Sequence, residues 1–216
     1  MRKALRITIL VDNPDSWILP YAKQIQEALA ELHYVKLCLS SWDIPEGDIL
    51  FLLGCTSMVR GEILKRNKNN LVVHESDLPS GRGWSPVAWQ VLEGKSLIPI
   101  VLFEATEEMD AGPIYLQDFM ALDGSELLCE IRRKQAEKTA ELVRRFVELW
   151  PEIQGKRQIG DPTYYARRRS IDDALDPRKS IIENFNHLRI VDNEKYPAWF
   201  EHLGRKYKIK IYSYDE

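Results

Sequence analysis

The sequence contains no apolar stretch approaching the roughly 18 consecutive residues of a membrane-crossing helix. Its amino-terminal apolar run, Leu5 to Val11, is too short for a secretory leader and ends in the turn signal Asp12-Asn13-Pro14. The cytosol is therefore the expected compartment, with no membrane partner. Cysteine is scarce. Cys38, Cys55 and Cys129 are odd in number and share no C-x-x-C spacing, which speaks against a disulfide framework and against a zinc site, so no metal is expected. An excess of either charge is also missing: 30 Lys and Arg stand against 33 Asp and Glu, a net charge of -3. That balance excludes the basic surface of a general nucleic-acid binder. Internal repeats and low-complexity tracts are absent as well, setting solenoids aside.

One stretch departs from the average. Between Gly155 and Arg169, Lys156, Arg157, Arg167, Arg168 and Arg169 face only Asp161, a local positive patch suited to a small phosphorylated partner. Tyr164 and Tyr165 add stacking rings to these guanidinium groups, the combination that a nucleobase and its diphosphate require. On composition alone, a solvated basic turn is the plainer reading of the same residues.

With 44% hydrophobic residues, 216 residues suffice for one sizeable core and a small appendage. Leu5 to Val11 reads as a strand, and Trp17 to Leu32 as a helix through Ile18, Tyr21, Ala22, Ile25, Ala28, Leu29 and Leu32. Val35 to Leu39, Ile49 to Leu53, Leu71 to Val73, Ile98 to Phe103 and Ile114 to Phe119 are further strands. A long helix follows, capped by Ser125 or Asp123, with its apolar stripe through Leu128, Ile131, Leu142, Val143, Phe146 and Leu149 and with Pro151 just beyond its end. This alternation predicts an α/β fold with a doubly wound, mainly parallel, Rossmann-like sheet over residues 1-151. Residues 152-216 lack helical periodicity, are rich in aromatic and basic residues, and read as a small carboxyl-terminal α+β subdomain. Lys206 to Tyr214 alternates as a half-buried strand would.

The chemistry concentrates between residues 70 and 116. His74 follows the run Leu71-Val72-Val73 and should stand at a strand end, while Asp110 follows a second apolar strand in a loop closed by Gly112-Pro113. Two polar strand-end residues of this kind can face each other across a cleft at the carboxyl edge of the sheet. Gly81-Arg82-Gly83 is not a phosphate loop, lacking the length and the Lys-Ser/Thr pair of one. It reads instead as a flexible lip between two binding sites.

The series His74-Glu75-Ser76-Asp77-Leu78-Pro79, Gly81-Arg82-Gly83, Ser85-Pro86, Trp89, Gly94 and Asp110-Ala111-Gly112-Pro113-Ile114 resembles the folate-dependent formyltransferase family. That family's pattern runs roughly N-x-H-P-S-L-L-P, R-G, P, W, G and D-A-G-P-I. The segments VDNPDSWILPY, YYARRR, FNHLRIVDNEKYPAWF and KYKIKIY are most similar to the sugar-nucleotide N-formyltransferases of the pseudaminic-acid-pathway type, which extends the resemblance over nearly the whole chain.

The resemblance implies a formyltransferase-type fold and transfer of a formyl group from 10-formyltetrahydrofolate to the amine of a nucleotide-linked deoxyamino sugar, UDP-linked by this match. His74 and Asp110 would be catalytic: His74 polarises the formyl oxygen, and Asp110 orients His74 and helps remove the amine proton. A carboxylate beside an imidazole favours the protonated ring, the better donor to an oxyanion. The folate would be held by two loops, Cys55, Thr56, Ser57 and Met58, then Ala105, Thr106 and Glu107 to Asp110, largely through backbone groups. The sugar nucleotide would meet Arg82, Gly83, Tyr164, Arg167, Arg168 and Arg169, with Asn186, Arg189 and Tyr196 in the second matching segment. Trp17 could wall that pocket, although core packing is the plainer reading. Family analogy also allows a homodimer.

One position departs from the pattern. The family asparagine two residues before the histidine is Val72 in this chain, and valine donates no hydrogen bond. Asn70 lies on the same strand face but about 7 Å further back. Because of Val72, a non-catalytic folate or sugar-nucleotide binding module stays open beside the enzyme. Formylation of glycinamide ribonucleotide gives no reason for the YYARRR segment. Methionyl-tRNA formylation normally brings a larger carboxyl-terminal domain, and a formyl-folate hydrolase a regulatory one.

Overall fold

Six apolar strands pair into one sheet in the computed structural model, which describes Lys3 to Tyr214. They are β1 (Arg6–Leu10), β2 (Tyr34–Cys38), β3 (Gly47–Leu52), β4 (Asn67–His74), then, after the short separate β5 (Arg82–Gly83), β6 (Leu97–Glu104) and β7 (Ile114–Ala121). The sheet order is β2-β1-β3-β4-β6-β7. The first four strands are parallel, as their near-continuous apolar runs anticipate. β6 alone runs against its neighbours on both sides.

Helices α1 (Leu19–Ala30) and α3 (Leu128–Leu149) cover one face, packing Ile25, Leu29, Leu142, Val143 and Phe146 onto Ile7, Ile9, Ile49, Phe51 and Leu71. The short α2 (Pro86–Leu92) inserts Val87 and Val91 against Ile98, Met120 and Ile131. On the opposite face Leu10, Leu50 and Leu52 are covered by Ile44, Val59, Ile63 and Leu64, residues in or beside the tight 3-10 turns at 41–43 and 61–66. The second winding of the sheet thus runs through turns, because the links between β2, β3 and β4 are too short for long helices.

Two expectations need correction, and a third holds. Neither Ser125 nor Asp123 caps α3: the Asp123 carboxylate accepts from the amide and hydroxyl of Ser125, and the Glu130 carboxylate instead accepts from the Leu127 amide. At the end of the predicted stripe Leu149 is exposed, while Ala136 and Thr139 are buried. Trp17 meets Tyr21 edge-on and lies beneath the Arg132 guanidinium, at the margin of the main core, so the packing reading holds.

Beyond α3 the chain forms β8 (Tyr164–Tyr165), the single turn α4 (Phe185–Leu188), and the hairpin of β9 (Ala198–His202) with β10 (Arg205–Ile209). Leu175, Leu188, Val191 and Ala198 make a small core of their own. The strand predicted over Lys206 to Tyr214 forms only over Arg205–Ile209, and Arg205 to Lys208 are exposed. The hairpin has only two strands, and its basic side chains lie on its own rings, Lys206 over Trp199 at 4.4 Å and Arg205 over Tyr207 at 5.6 Å.

Candidate active site

His74 is the last residue of β4 and is buried. Strand alternation sends Leu71 and Val73 into the main core, and Val72 to the opposite face beside Leu78, Val101 and Phe103. The imidazole stands edge-on to the Phe103 ring. Its Nε2 lies 2.8 Å from the carbonyl oxygen of Gly81, which can only accept, so Nε2 carries a proton and donates. Nδ1 is the ring atom left for a ligand or for a second proton.

Asp110 arrives by a different route from the one expected. Because β6 is antiparallel to β4, its carboxyl end lies beside Leu71 and not beside His74. The 105–113 loop must therefore turn back to reach the histidine. It is tied down at Ala105, whose amide donates to the carbonyl of Asn70, and at Glu107, whose carboxylate accepts from Gly61. Gly112 belongs where it is because a Cβ there would collide with the carbonyl oxygen of Glu104. Asp110 adopts φ +52°, and its Oδ2 accepts from the Gly83 amide at 2.8 Å. The predicted orientation of His74 by Asp110 is thus indirect. No hydrogen bond joins the two side chains among the described residues, and each binds a peptide group of the 81–83 segment.

That segment is not a flexible lip. Arg82 and Gly83 pair in parallel with Tyr164 and Tyr165. A Cβ at Gly81 would lie 2.7 Å from the Tyr165 ring, and one at Gly83 would lie 2.5 Å from the Tyr165 carbonyl oxygen. Arg82 is buried, donating to Glu108 at 2.7 Å and to Gln158 at 3.0 Å. Its guanidinium is committed to the frame and is withdrawn as a substrate contact.

Sequence reasoning missed two carboxylates. Glu75, next to His74, is buried and accepts from Gln135 at 2.7 Å. Burial pushes its carboxyl above the ordinary range, against the opposing pull of His74 and Gln135. Asp12, read only as part of a turn, accepts from the amides of Thr56 and Ser57 at 2.8 Å each. It pins the 55–58 loop at the ends of β1 and β3. The carbonyls of Gly54 to Arg60 accept no hydrogen bond among the described residues. Cys55 packs against the turn-covered face, and burial pushes its thiol up to about 12, which keeps it protonated. Met58 is exposed. Thr106 uses its hydroxyl within its own loop, donating to the carbonyl of Glu108.

The basic segment divides. Tyr164 and Arg169 are exposed, and Arg167 lies over the Trp84 ring at 4.9 Å. Tyr165 stacks on Trp89 and donates to Glu93. Arg168 is turned inward to the Asp173 carboxylate, and Arg189 forms a buried ion pair with Glu126 at 2.8 Å. Both leave the set of substrate contacts for the same reason as Arg82: each guanidinium is paired with a carboxylate of the chain itself. Asn186 is half-buried on α4, and Tyr196 is exposed. For the nucleotide that the resemblance implies, Arg167→Ala should weaken binding about tenfold in calorimetry, the loss of one charge-assisted, stacked contact. Arg168→Ala should mainly lower the melting temperature.

Among the described residues no group of three or more His, Cys, Asp or Glu is arranged to hold a metal, and no helix is long and apolar enough to cross a membrane. No family model matches the chain. In sequence it is 27% identical over 152 residues to the GDP-perosamine N-formyltransferase of Brucella melitensis, covering 69% of this chain and 59% of that protein. The match thus spans less than two thirds of that relative's length. In structure the chain is similar to methionyl-tRNA formyltransferase from Clostridium thermocellum, with a TM-score of 0.79 at 18% identity over 97% of this chain and 93% of that one. It is also similar to HypX from Aquifex aeolicus in complex with tetrahydrofolic acid, with a TM-score of 0.77 at 16% identity over 97% of this chain and 38% of that one. The architecture is the Rossmann-like formyltransferase fold. The resemblance carried by the His74 and Asp110 motifs therefore stands on sequence similarity and fold together.

Proposed function

We propose that this chain is an N-formyltransferase that moves a formyl group from 10-formyltetrahydrofolate to the amine of a nucleotide-linked deoxyamino sugar. The observation that carries the reading is the convergence of His74 and Asp110 on one peptide segment, Gly81 to Gly83, from strands that run in opposite directions. A core histidine and a loop aspartate have no structural need to be brought together in this way.

The donor fits the loops. With the Thr56 and Ser57 amides turned to Asp12, the 55–58 loop keeps its carbonyl acceptors, suited to the amino and ring N–H groups of a pterin. The bound donor supplies an activated formyl carbon. The remaining work falls to side chains of this chain. Asp110 accepts the proton that the attacking amine loses and can return it to the donor nitrogen as its bond to the formyl carbon breaks, and His74 turns Nδ1, the ring atom left over by its bond to Gly81, to the reacting carbonyl. The buried Glu75, pushed towards its neutral form by burial, is held by Gln135 next to the histidine.

Val72 cannot supply the amide donor of the family pattern, and Asn70 does not replace it, because its side-chain NH2 donates to the carbonyl of Leu64 at 2.8 Å. His74 and backbone N–H groups carry that role in our reading. Val72→Asn should then leave turnover level or lower, since the new amide would enter an apolar setting without partners. A rise in kcat of about tenfold or more would instead show a vacant donor slot.

Residues 152-216 serve this function by lending Tyr164, Arg167 and Arg169, beside Trp84, to the nucleotide. The motif resemblance points to a UDP-linked sugar of the pseudaminic-acid type, whereas the Brucella relative is named for GDP-perosamine. A formylation assay with the folate donor and a panel of UDP- and GDP-linked amino sugars tests the function and chooses between them. Donor-dependent formylation of one member supports the proposal. Tight binding without turnover across the panel would make the chain a binding module.

A further inference from the structure

Gln158 lies outside both motifs, in the segment that follows α3, yet it touches every part of the frame around Asp110. Its Oε1 accepts from the Arg82 guanidinium at 3.0 Å, and its Nε2 donates to the carbonyls of Asp110 at 2.8 Å and Gly112 at 2.9 Å. A side-chain amide is the one group that can accept from a guanidinium while donating to two carbonyls; a carboxylate, an alcohol or an ammonium cannot do both. Asp110 needs such restraint. It sits at φ +52°, a region that residues other than glycine hold only when their surroundings over-determine it. Fixing the carbonyls of Asp110 and Gly112 fixes the peptide planes from which the Asp110 side chain projects. Arg82, held by the same amide, anchors the strand whose next residue, Gly83, donates to the Asp110 carboxylate.

We propose that Gln158 is a positioning residue for Asp110, locking the 105–113 loop to the 81–83 segment so that the carboxylate and His74 keep their places on the two ends of that segment. The kinetic arm of the test rests on the formyltransferase reading; the structural arm does not.

The structural arm is hydrogen–deuterium exchange on folded Gln158→Ala and Gln158→Glu. Both variants should exchange about tenfold faster at amides of the 105–113 loop, with the rest of the sheet unchanged. Gln158→Glu keeps an acceptor for Arg82 but has no N–H for the two carbonyls, so segment 81–83 should stay protected in it while the loop loosens. Unchanged protection of the loop in the Glu variant overturns the proposal, even where the Ala variant does not fold. In the kinetic arm, kcat should fall about tenfold or more in both variants, with KM for donor and acceptor within about twofold. A loss confined to KM would make Gln158 a substrate contact and would also overturn the proposal. If the unaltered protein shows no formyl transfer, the functional reading fails, and the exchange result alone decides the role of Gln158.

Discussion

Replacing His74 by Asn, or Asp110 by Ala, should yield a folded protein whose formyl transfer falls by at least about a thousandfold, since each change removes a proton-transfer or charge-stabilising group from the reaction. Folding should survive because neither side chain holds the core together. His74 spends one hydrogen bond on the Gly81 carbonyl, and Asp110 one on the Gly83 amide. Circular dichroism and thermal melts check the folded state, and calorimetry should show both substrates still binding. Retained turnover of about a tenth or more in either variant would remove that residue from the mechanism.

The largest effect on stability should come from Arg189, which first suggests a phosphate ligand. Its guanidinium donates to the carboxylate and the backbone carbonyl of Glu126, deep between the start of α3 and the carboxyl-terminal segment. Arg189→Ala removes two charge-assisted hydrogen bonds and leaves the buried carboxylate to Lys134 and the amides of Asp123 and Gly124, which should cost about 2–3 kcal/mol of unfolding free energy. Acid tests the same site. Burial alone would raise the Glu126 carboxyl, but the Lys134 ammonium and the amides of Asp123 and Gly124 outweigh it and bring the pKa from 4.5 to about 2. With the folded value depressed, the stabilisation is complete above about pH 4.5 and is lost as the pH falls towards about 2. Urea titrations should show that decline in the unaltered protein and a shallower one in Glu126→Gln, which begins from lower stability. Equal acid slopes would contradict the assignment.

The parts legible in the sequence are those set by local pattern. Apolar runs marked the strands because parallel strands are buried on both faces, and the HESDLP and DAGPI elements placed His74 and Asp110 on one site. The rest depends on distant partners. Period-two alternation carries no direction, so the reversal of β6 was invisible, and with it the route by which Asp110 reaches His74. Nothing in RGW or YYARRR says that Arg82 meets a carboxylate 26 residues away or that Arg168 turns towards Asp173, nor does FNHLRI say that Arg189 meets one 63 residues away. Asp12 looked like a turn residue because its partners, Thr56 and Ser57, follow a different strand. Glu75 was the exception. An acidic residue directly after the histidine stood in plain view and needed only its burial to be noticed.

The most direct measurement follows an isotopically labelled formyl group from the folate donor to the acceptor in a single turnover, with the unaltered protein and with Asp110→Asn, which keeps the shape of the side chain and removes its basicity. The label should appear on the sugar amine with the unaltered protein and stay on the folate with the variant. Label reaching the amine at equal rates in both would contradict the central claim that the convergence of His74 and Asp110 on Gly81 to Gly83 is a formyl-transfer site.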